Sequence, residues 1–135
     1  EKTQQRVRDL GLSNQVQFLG MLSEDQLIGQ LEQSDLLCMP SSYEGFGIAI
    51  VEAMAFGLPA LCSVDGAAVE TVKHGSNGFL FSAAQNNELG SIITELHQHR
   101  NKLQKLSLAA YGTARSRPGW SQTAAVIEQF LQTLV

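Results

Sequence analysis

Two carboxylates and two glycines, Glu44, Gly45, Gly47 and Glu52, hold most of the chemistry in this 135-residue chain. Glutamates eight positions apart supply acceptors for hydroxyl protons. The glycines between them leave backbone N–H groups unobstructed where a helix begins, a ready site for an anion or for sugar hydroxyls. Glu52 is the one polar side chain between Gly45 and Cys62. Burying such a carboxylate unpaired is expensive, so it is expected to point toward the one face of its helix left open. The combination suits a polyhydroxylated ligand that carries phosphate. Taken alone, Glu52 could instead cap a neighbouring helix or pair with an arginine, and Glu44 could be a solvated loop residue.

The flanking elements set where these groups would sit. Asp35-Leu36-Leu37-Cys38-Met39 is a short apolar run that reads as a buried strand. Pro40, Ser41 and Ser42 turn the chain, and a helix runs from about Gly47 until Gly57 and Pro59 end it. Leu58 to Cys62 is the next strand, with Val64-Asp65-Gly66 as its exit loop. In an open parallel sheet, ligands bind in the crevice beyond the carboxyl ends of the strands, which is where Glu44 and the glycines fall.

Elsewhere, Lys2 to Leu10 reads as a helix closed by Gly11, and Val16 to Leu19 as an alternating strand ending at Gly20. Ser23-Glu24-Asp25-Gln26 is a capping box opening a helix that runs to about Gln33. Ala67 to Lys73 is a short helix, His74 to Gly78 a turn, and Phe79 to Phe81 a last strand. From about 87 to 135 the pattern is helical. One stripe uses Leu89, Ile92, Ile93 and Leu96, and a second from about Lys102 uses Leu103, Leu106 and Ala110. A third helix, opened by Ser121, uses Val126, Ile127, Phe130, Leu131 and Leu134. Alternating strands and helices predict an α/β, Rossmann-like parallel sheet with flanking helices, the helical tail packing around it. A single domain over 1–135 with no internal boundary is expected.

Composition narrows the function classes. The chain is 44% apolar and 16% charged, as ordinary globular proteins are, and its net charge of −4 without a basic run argues against nucleic acid as a partner. Cys38 and Cys62 lie in apolar strands and are expected to be buried thiols in a reducing, cytoplasmic compartment. No signal peptide is visible, and the longest apolar run, Gly45 to Cys62, is broken by Glu52, Gly57 and Pro59. His97 and His99, two apart on a helix, cannot share a metal face, and no metal is expected. Because Glu1 already lies inside a helical pattern, the chain is expected to be a piece of something longer.

Pro40-Ser41-Ser42-Tyr43-Glu44-Gly45-Phe46-Gly47, continued by Glu52-Ala53-Met54-Ala55 and Gly57-Leu58-Pro59, resembles the donor-site motif of the retaining glycosyltransferases of the GT-B fold. The match is to the large group 1 family (family 4), which contains bacterial capsule, lipopolysaccharide and sucrose-type enzymes. It extends from Val16-Gln17-Phe18-Leu19-Gly20 to Gly75-Ser76-Asn77-Gly78-Phe79-Leu80, about half the chain. The resemblance implies the C-terminal, donor-binding half of a GT-B fold, apparently without its first strands. It also implies transfer of a hexosyl-type group from a UDP-, GDP- or ADP-sugar to a glycan, lipid or small-molecule acceptor, with retention and without another cofactor.

It further implies that Glu52 accepts hydrogen bonds from the ribose hydroxyls. Glu44, the candidate catalytic residue, is placed beside the donor sugar and its leaving phosphate. Ser41, Gly45, Phe46, Gly47 and Ile48 line the donor, and Met21 and Leu22 lie where the base rests. Three features depart from the family. Asp65-Gly66-Ala67-Ala68-Val69-Glu70 stands where the family has Gly-Gly-x-Pro-Glu, so this loop carries no assigned contact. The Arg and Lys that grip the diphosphate are missing, and so is the N-terminal acceptor domain. The fragment alone is therefore expected to transfer nothing, and peripheral membrane contact of the whole enzyme is left open. A sugar-nucleotide epimerase of the same fold, or a non-catalytic nucleotide-binding module, is the alternative. A glycan phosphorylase would bring a pyridoxal-bearing lysine that the chain does not show.

Overall fold

A computed structural model of the chain describes residues 1–41, 45–82 and 87–133, and it divides into two compact units, Glu1–Glu32 and Gln33–Val135. In the first unit, helix α1 (Lys2–Asp9) ends in two bonds. The Leu12 N–H reaches the Val7 carbonyl (3.0 Å) and the Gly11 N–H the Arg8 carbonyl (2.9 Å). That pair is a Schellman closure, and it needs Gly11 at φ +68°. Helix α2 (Glu24–Glu32) opens through the expected reciprocal cap, the Ser23 N–H on Gln26 Oε1 (3.0 Å) and the Gln26 N–H on Ser23 Oγ (3.4 Å).

Between these helices the expected strand at Val16 to Leu19 does not form, and residues 16–20 are irregular. A strand exists only through its ladder, and the described residues of this unit offer no second strand to pair with. Val16, Phe18 and Leu19 accordingly remain substantially exposed.

The second unit is built on a parallel sheet of three short strands in the order β1 (Leu37–Met39), β2 (Ala60–Ser63), β3 (Gly78–Phe81). Leu37 pairs with Ala60 and Ala60 with Gly78. The central strand is buried along its whole length, which is why it reads as an unbroken apolar run. Its alternate side chains feed two clusters. Ala60 and Cys62 pack with Ile50 and Met54 of α3 (Ile48–Ala55), with Ala68 of α4 (Ala68–Thr71), and with Val72 and Ala110. Leu61, with Phe79 and Phe81, meets Ile92 and Leu96 of α5 (Glu88–Gln98) and Leu103 and Leu106 of α6 (Arg100–Arg115). Each large side chain so buried contributes about 1.5–3 kcal/mol.

One expectation fails here. Of the two cysteines only Cys62 is buried. Cys38 is exposed because β1 is an edge strand, paired on one side only. Partial burial of its thiol still pushes the Cys38 pKa up. At pH 8 Cys38 therefore carries less thiolate than a free cysteine and should be alkylated more slowly. Cys62 should stay unmodified until the chain unfolds. Peptide mapping after timed iodoacetamide exposure checks both rates; labelling of Cys62 as fast as Cys38 in native buffer would contradict the buried assignment.

The tail also differs. Helix α7 (Trp120–Gln132) starts one residue before Ser121, with the Gly119 N–H held by Gln122 Oε1 at 2.9 Å. Its stripe of Val126, Ile127, Phe130 and Leu131 is 54–67% exposed rather than packed around the sheet, and Leu134 lies outside the described residues. Helices α5 and α6 already cover one face of the sheet, and α3 and α4 pack on the other. No helix among the described residues is long and apolar enough to cross a membrane.

Candidate functional site

At the carboxyl end of β1 the chain passes Pro40 and Ser41, and after residues 42–44 it returns through Gly45 and Phe46 to Gly47, the N-cap of α3. Gly47 sits at φ +74° and ψ 32°, a left-handed conformation that costs a residue with a Cβ roughly 1–2 kcal/mol. A Cβ there would also approach Ile50 Cδ1 to 3.2 Å. The Gly47 carbonyl takes the N–H groups of Ile50 (3.0 Å) and Val51 (3.2 Å). The N–H groups of Ile48 and Ala49 have no acceptor among the described residues. Helix geometry directs them outward along the axis, with the positive end of the dipole behind them.

Helix α3 buries Ile50, Ala53 and Met54. Glu52 lies one turn beyond Ile48 on the opposite, exposed side, and residues spaced four apart share a face. Among the described residues no side chain hydrogen-bonds to Glu52 or pairs with it. Ile48 and Phe46 are exposed as well, at 60% and 69%. Together, Gly45, Phe46, Gly47, Ile48 and Glu52 fall at one end of α3 and along its solvent side. Glu44 lies outside the described residues.

At the carboxyl ends of β1 and β2, Met39, Ser41, Ile50, Cys62, Ser63, Asp65 and Ala68 surround a gap too small to hold a water. Ser41 was expected in the site; Ser63 and Asp65 were not. Ser63 is buried, its Oγ donating to Asp65 Oδ2 (3.0 Å) and accepting the Asp65 N–H (3.2 Å). The available signal was positional: Ser63 and Asp65 follow β2 as Ser41 follows β1, so polar groups end adjacent parallel strands on one side of the sheet. Met21 and Leu22 belong to the other unit; Met21 is fully exposed and Leu22 half-buried.

A second hollow of about 340 Å³ lies at the opposite, amino end of these strands, with Asp35, Phe56, Gly57, Arg100 and Ser107 in its walls. Asp35 and Arg100 hold each other there by two bonds of 2.7 and 3.2 Å. The charges lining it are thus already matched, and it lies at the end of the strands away from the start of α3. His74, in its glycine turn, sets Nδ1 against the Leu80 backbone (3.0 Å to O, 3.2 Å to N) and is structural.

The family model described as "Glycosyl transferases group 1" matches residues 1–113. Mannosylfructose-phosphate synthase of Agrobacterium fabrum is 28% identical over 120 residues, covering 89% of this chain and 26% of its own length. The crystal structure of Anabaena HepE in complex with UDP-glucose superposes with a TM-score of 0.81 at 32% identity, covering 98% of this chain and 35% of that one. The C-terminal domain of the group 1 protein LpcC of Francisella tularensis superposes at 0.78 and 22% identity, over 86% of this chain and 60% of that one. The chain thus spans about a quarter to a third of the full-length relatives, and its Rossmann-like α/β fold is that of the C-terminal half of GT-B enzymes.

Proposed function

We propose, since this chain belongs to the glycosyl transferases group 1 family, that it forms the donor-binding part of a glycosyltransferase using a nucleotide-diphosphate sugar. The observation that carries the reading is the end of α3. Two N–H groups without an acceptor among the described residues, Ile48 and Ala49, lie at the carboxyl edge of a parallel sheet, and Glu52, a carboxylate with no partner among the described residues, is one turn along the exposed side. The UDP-glucose complex of HepE, a structure of the same fold, supports it.

Breaking the bond between the anomeric carbon and the phosphate oxygen leaves positive charge on the sugar and negative charge on the diphosphate. Amide donors fixed at a helix N-terminus meet the diphosphate charge without waiting for solvent to reorganise. On this reading no metal is needed. Glu52 takes the two ribose hydroxyls, and Ser41, Gly45, Phe46, Gly47 and Ile48 line the sugar and phosphates. Glu44 stands beside the donor sugar, where a carboxylate favours the oxocarbenium-like state. Met21 and Leu22 are assigned to the base. Transfer proceeds with retention to an acceptor held by an N-terminal domain, in a cytoplasm that keeps Cys38 and Cys62 reduced.

A calorimetric panel of UDP-, GDP- and ADP-sugars against this chain tests the reading. One base should bind, weakly, and Glu52→Ala should weaken it about tenfold, the worth of a charge-assisted contact to neutral hydroxyls. The chain alone should transfer no sugar. If no nucleotide sugar binds, or Glu52→Ala binds all of them as the parent does, the donor-site assignment fails.

A further inference from the structure

We propose that the hollow at the amino end of the strands is a second carbohydrate site, which holds a neutral sugar unit of a glycan away from the donor. Its volume of about 340 Å³ falls within the range of small-ligand pockets and has room for a hexose ring. Two elements build it. Helix α6 presents Arg100, Gln104 and Ser107, and Asn101 three before Gln104, a spacing that sets them along one side of the helix. Opposite stands the end of α3, where Gly57 at φ +76° passes so near α6 that a Cβ on it would lie 3.1 Å from Ser107 Oγ. The buried Leu58 and Leu103 and the exposed Phe56 supply the apolar part of the lining.

That lining matches a neutral sugar. Asp35 and Arg100 satisfy each other's charge, so an anion or a cation gains little by entering. The pair is more than half exposed, and it leaves carboxylate lone pairs and guanidinium N–H groups open to hydroxyls. Asn101, Gln104 and Ser107 make no side-chain hydrogen bond among the described residues. A sugar ring offers donors and acceptors around its rim and C–H groups on its faces. The two amides and the hydroxyl suit the rim, and Phe56 suits a face. A purely apolar ligand would bury those amides unpaired, and an amino-acid zwitterion would have to part Asp35 from Arg100. None of these residues belongs to the donor site, so the proposal does not depend on that reading. In a protein of this family such a site keeps a glycan attached while the donor is exchanged.

Proton–nitrogen correlation NMR of the chain tests it, with methyl α-glucoside, methyl α-mannoside and maltotriose as probes and methyl glucuronoside and glutamine beside them. At least one neutral sugar should shift the Gly57 backbone amide and the side-chain amides of Asn101 and Gln104, with a Kd of about 1–10 mM. The Ile48 and Ala49 amides should not move. Phe56→Ala and Gln104→Ala should each raise that Kd about threefold or more. Gln104 is on an exposed helix surface where alanine favours the helix, so this variant stays folded even where Phe56→Ala does not. No response to any neutral sugar at about 50 mM overturns the proposal, and so does an unchanged Kd in Gln104→Ala. Larger shifts from glutamine or the glucuronoside than from the neutral sugars would assign the hollow to a charged ligand and overturn it too. The donor site stands in each case, since its probes are nucleotides.

Discussion

Gly78→Ala should cost the chain about 3 kcal/mol of stability or more. Gly78 begins β3 in register with Ala60, and a Cβ there would lie 2.2 Å from the Ala60 carbonyl oxygen and 3.0 Å from both the Ala60 nitrogen and Val72 Cγ1. The nearest obstacle is backbone of the central strand, so no side chain can rotate away to make room. Relief requires β3 to move off β2 at its first pair, taking the buried Phe79 and Phe81 out of register with Leu61 and Ser63. Overpacking a core ordinarily costs about 1–3 kcal/mol. With a backbone clash the loss should reach or exceed the top of that range, against a total stability of roughly 5–15 kcal/mol. Urea unfolding followed by circular dichroism measures it. Gly112→Ala supplies the opposite sign in the same assay. Gly112 lies within α6 with nothing within 4 Å of its would-be Cβ, so alanine there should stabilise by about 1 kcal/mol. A Gly78→Ala chain with the parent's midpoint would mean that β2 and β3 do not pair in this register.

Whatever is decided by neighbours in sequence was legible before the structure. Gly11 followed by Leu12 announced the closure of α1, and Ser23 with Gln26 announced the opening of α2, because both are bonds within one turn of chain. The three strands of the sheet and the helix between β1 and β2 were readable from apolar runs broken by Pro40, Gly57 and Pro59. Failures came where a distant partner decides. Val16 to Leu19 alternates as a strand should, but alternation cannot supply the second strand that makes a ladder. Cys38 sits in as apolar a run as Cys62, yet one occupies an edge and the other the centre, and strand order is not written in either run. The α7 stripe has helical spacing and no described surface to cover it. In the candidate site, the glycines and Glu52 stood out by contrast with apolar neighbours. Ser63 and Asp65 did not, since the bonds between them at the end of β2 set them apart only once the strand is placed.

Asn77 offers the second large effect, and its origin is hydrogen bonding rather than space. The side chain is 1% exposed and all its bonds are accounted for. Oδ1 accepts the Lys73 N–H at 2.7 Å, while Nδ2 donates to the Thr71 carbonyl and to Thr113 Oγ1, each at 3.0 Å. One amide thereby ties the end of α4, the turn before β3 and the last turn of α6; Arg117 joins through a bond to Thr71 Oγ1. Asn77→Ala strands the Lys73 N–H and the Thr71 carbonyl in a dry place, at about 1–3 kcal/mol each. A loss of about 3 kcal/mol or more is expected.

Asn77→Asp separates bonding from volume. The new side chain keeps an acceptor for Lys73 but, when ionised, has no proton for the Thr71 carbonyl or for Thr113. Burial beside an acceptor should raise its folded-state pKa above the ordinary value of about 4. The folded state then binds more protons than the unfolded one as pH falls through that window. The variant should regain part of its stability on acidification, relative to the parent at the same pH, and lose it again as pH rises past the folded-state value. Urea midpoints of parent and variant at pH 4 and pH 8 give the comparison. A gap between the two chains that is the same at both pH values would show that the Thr71 contact contributes nothing.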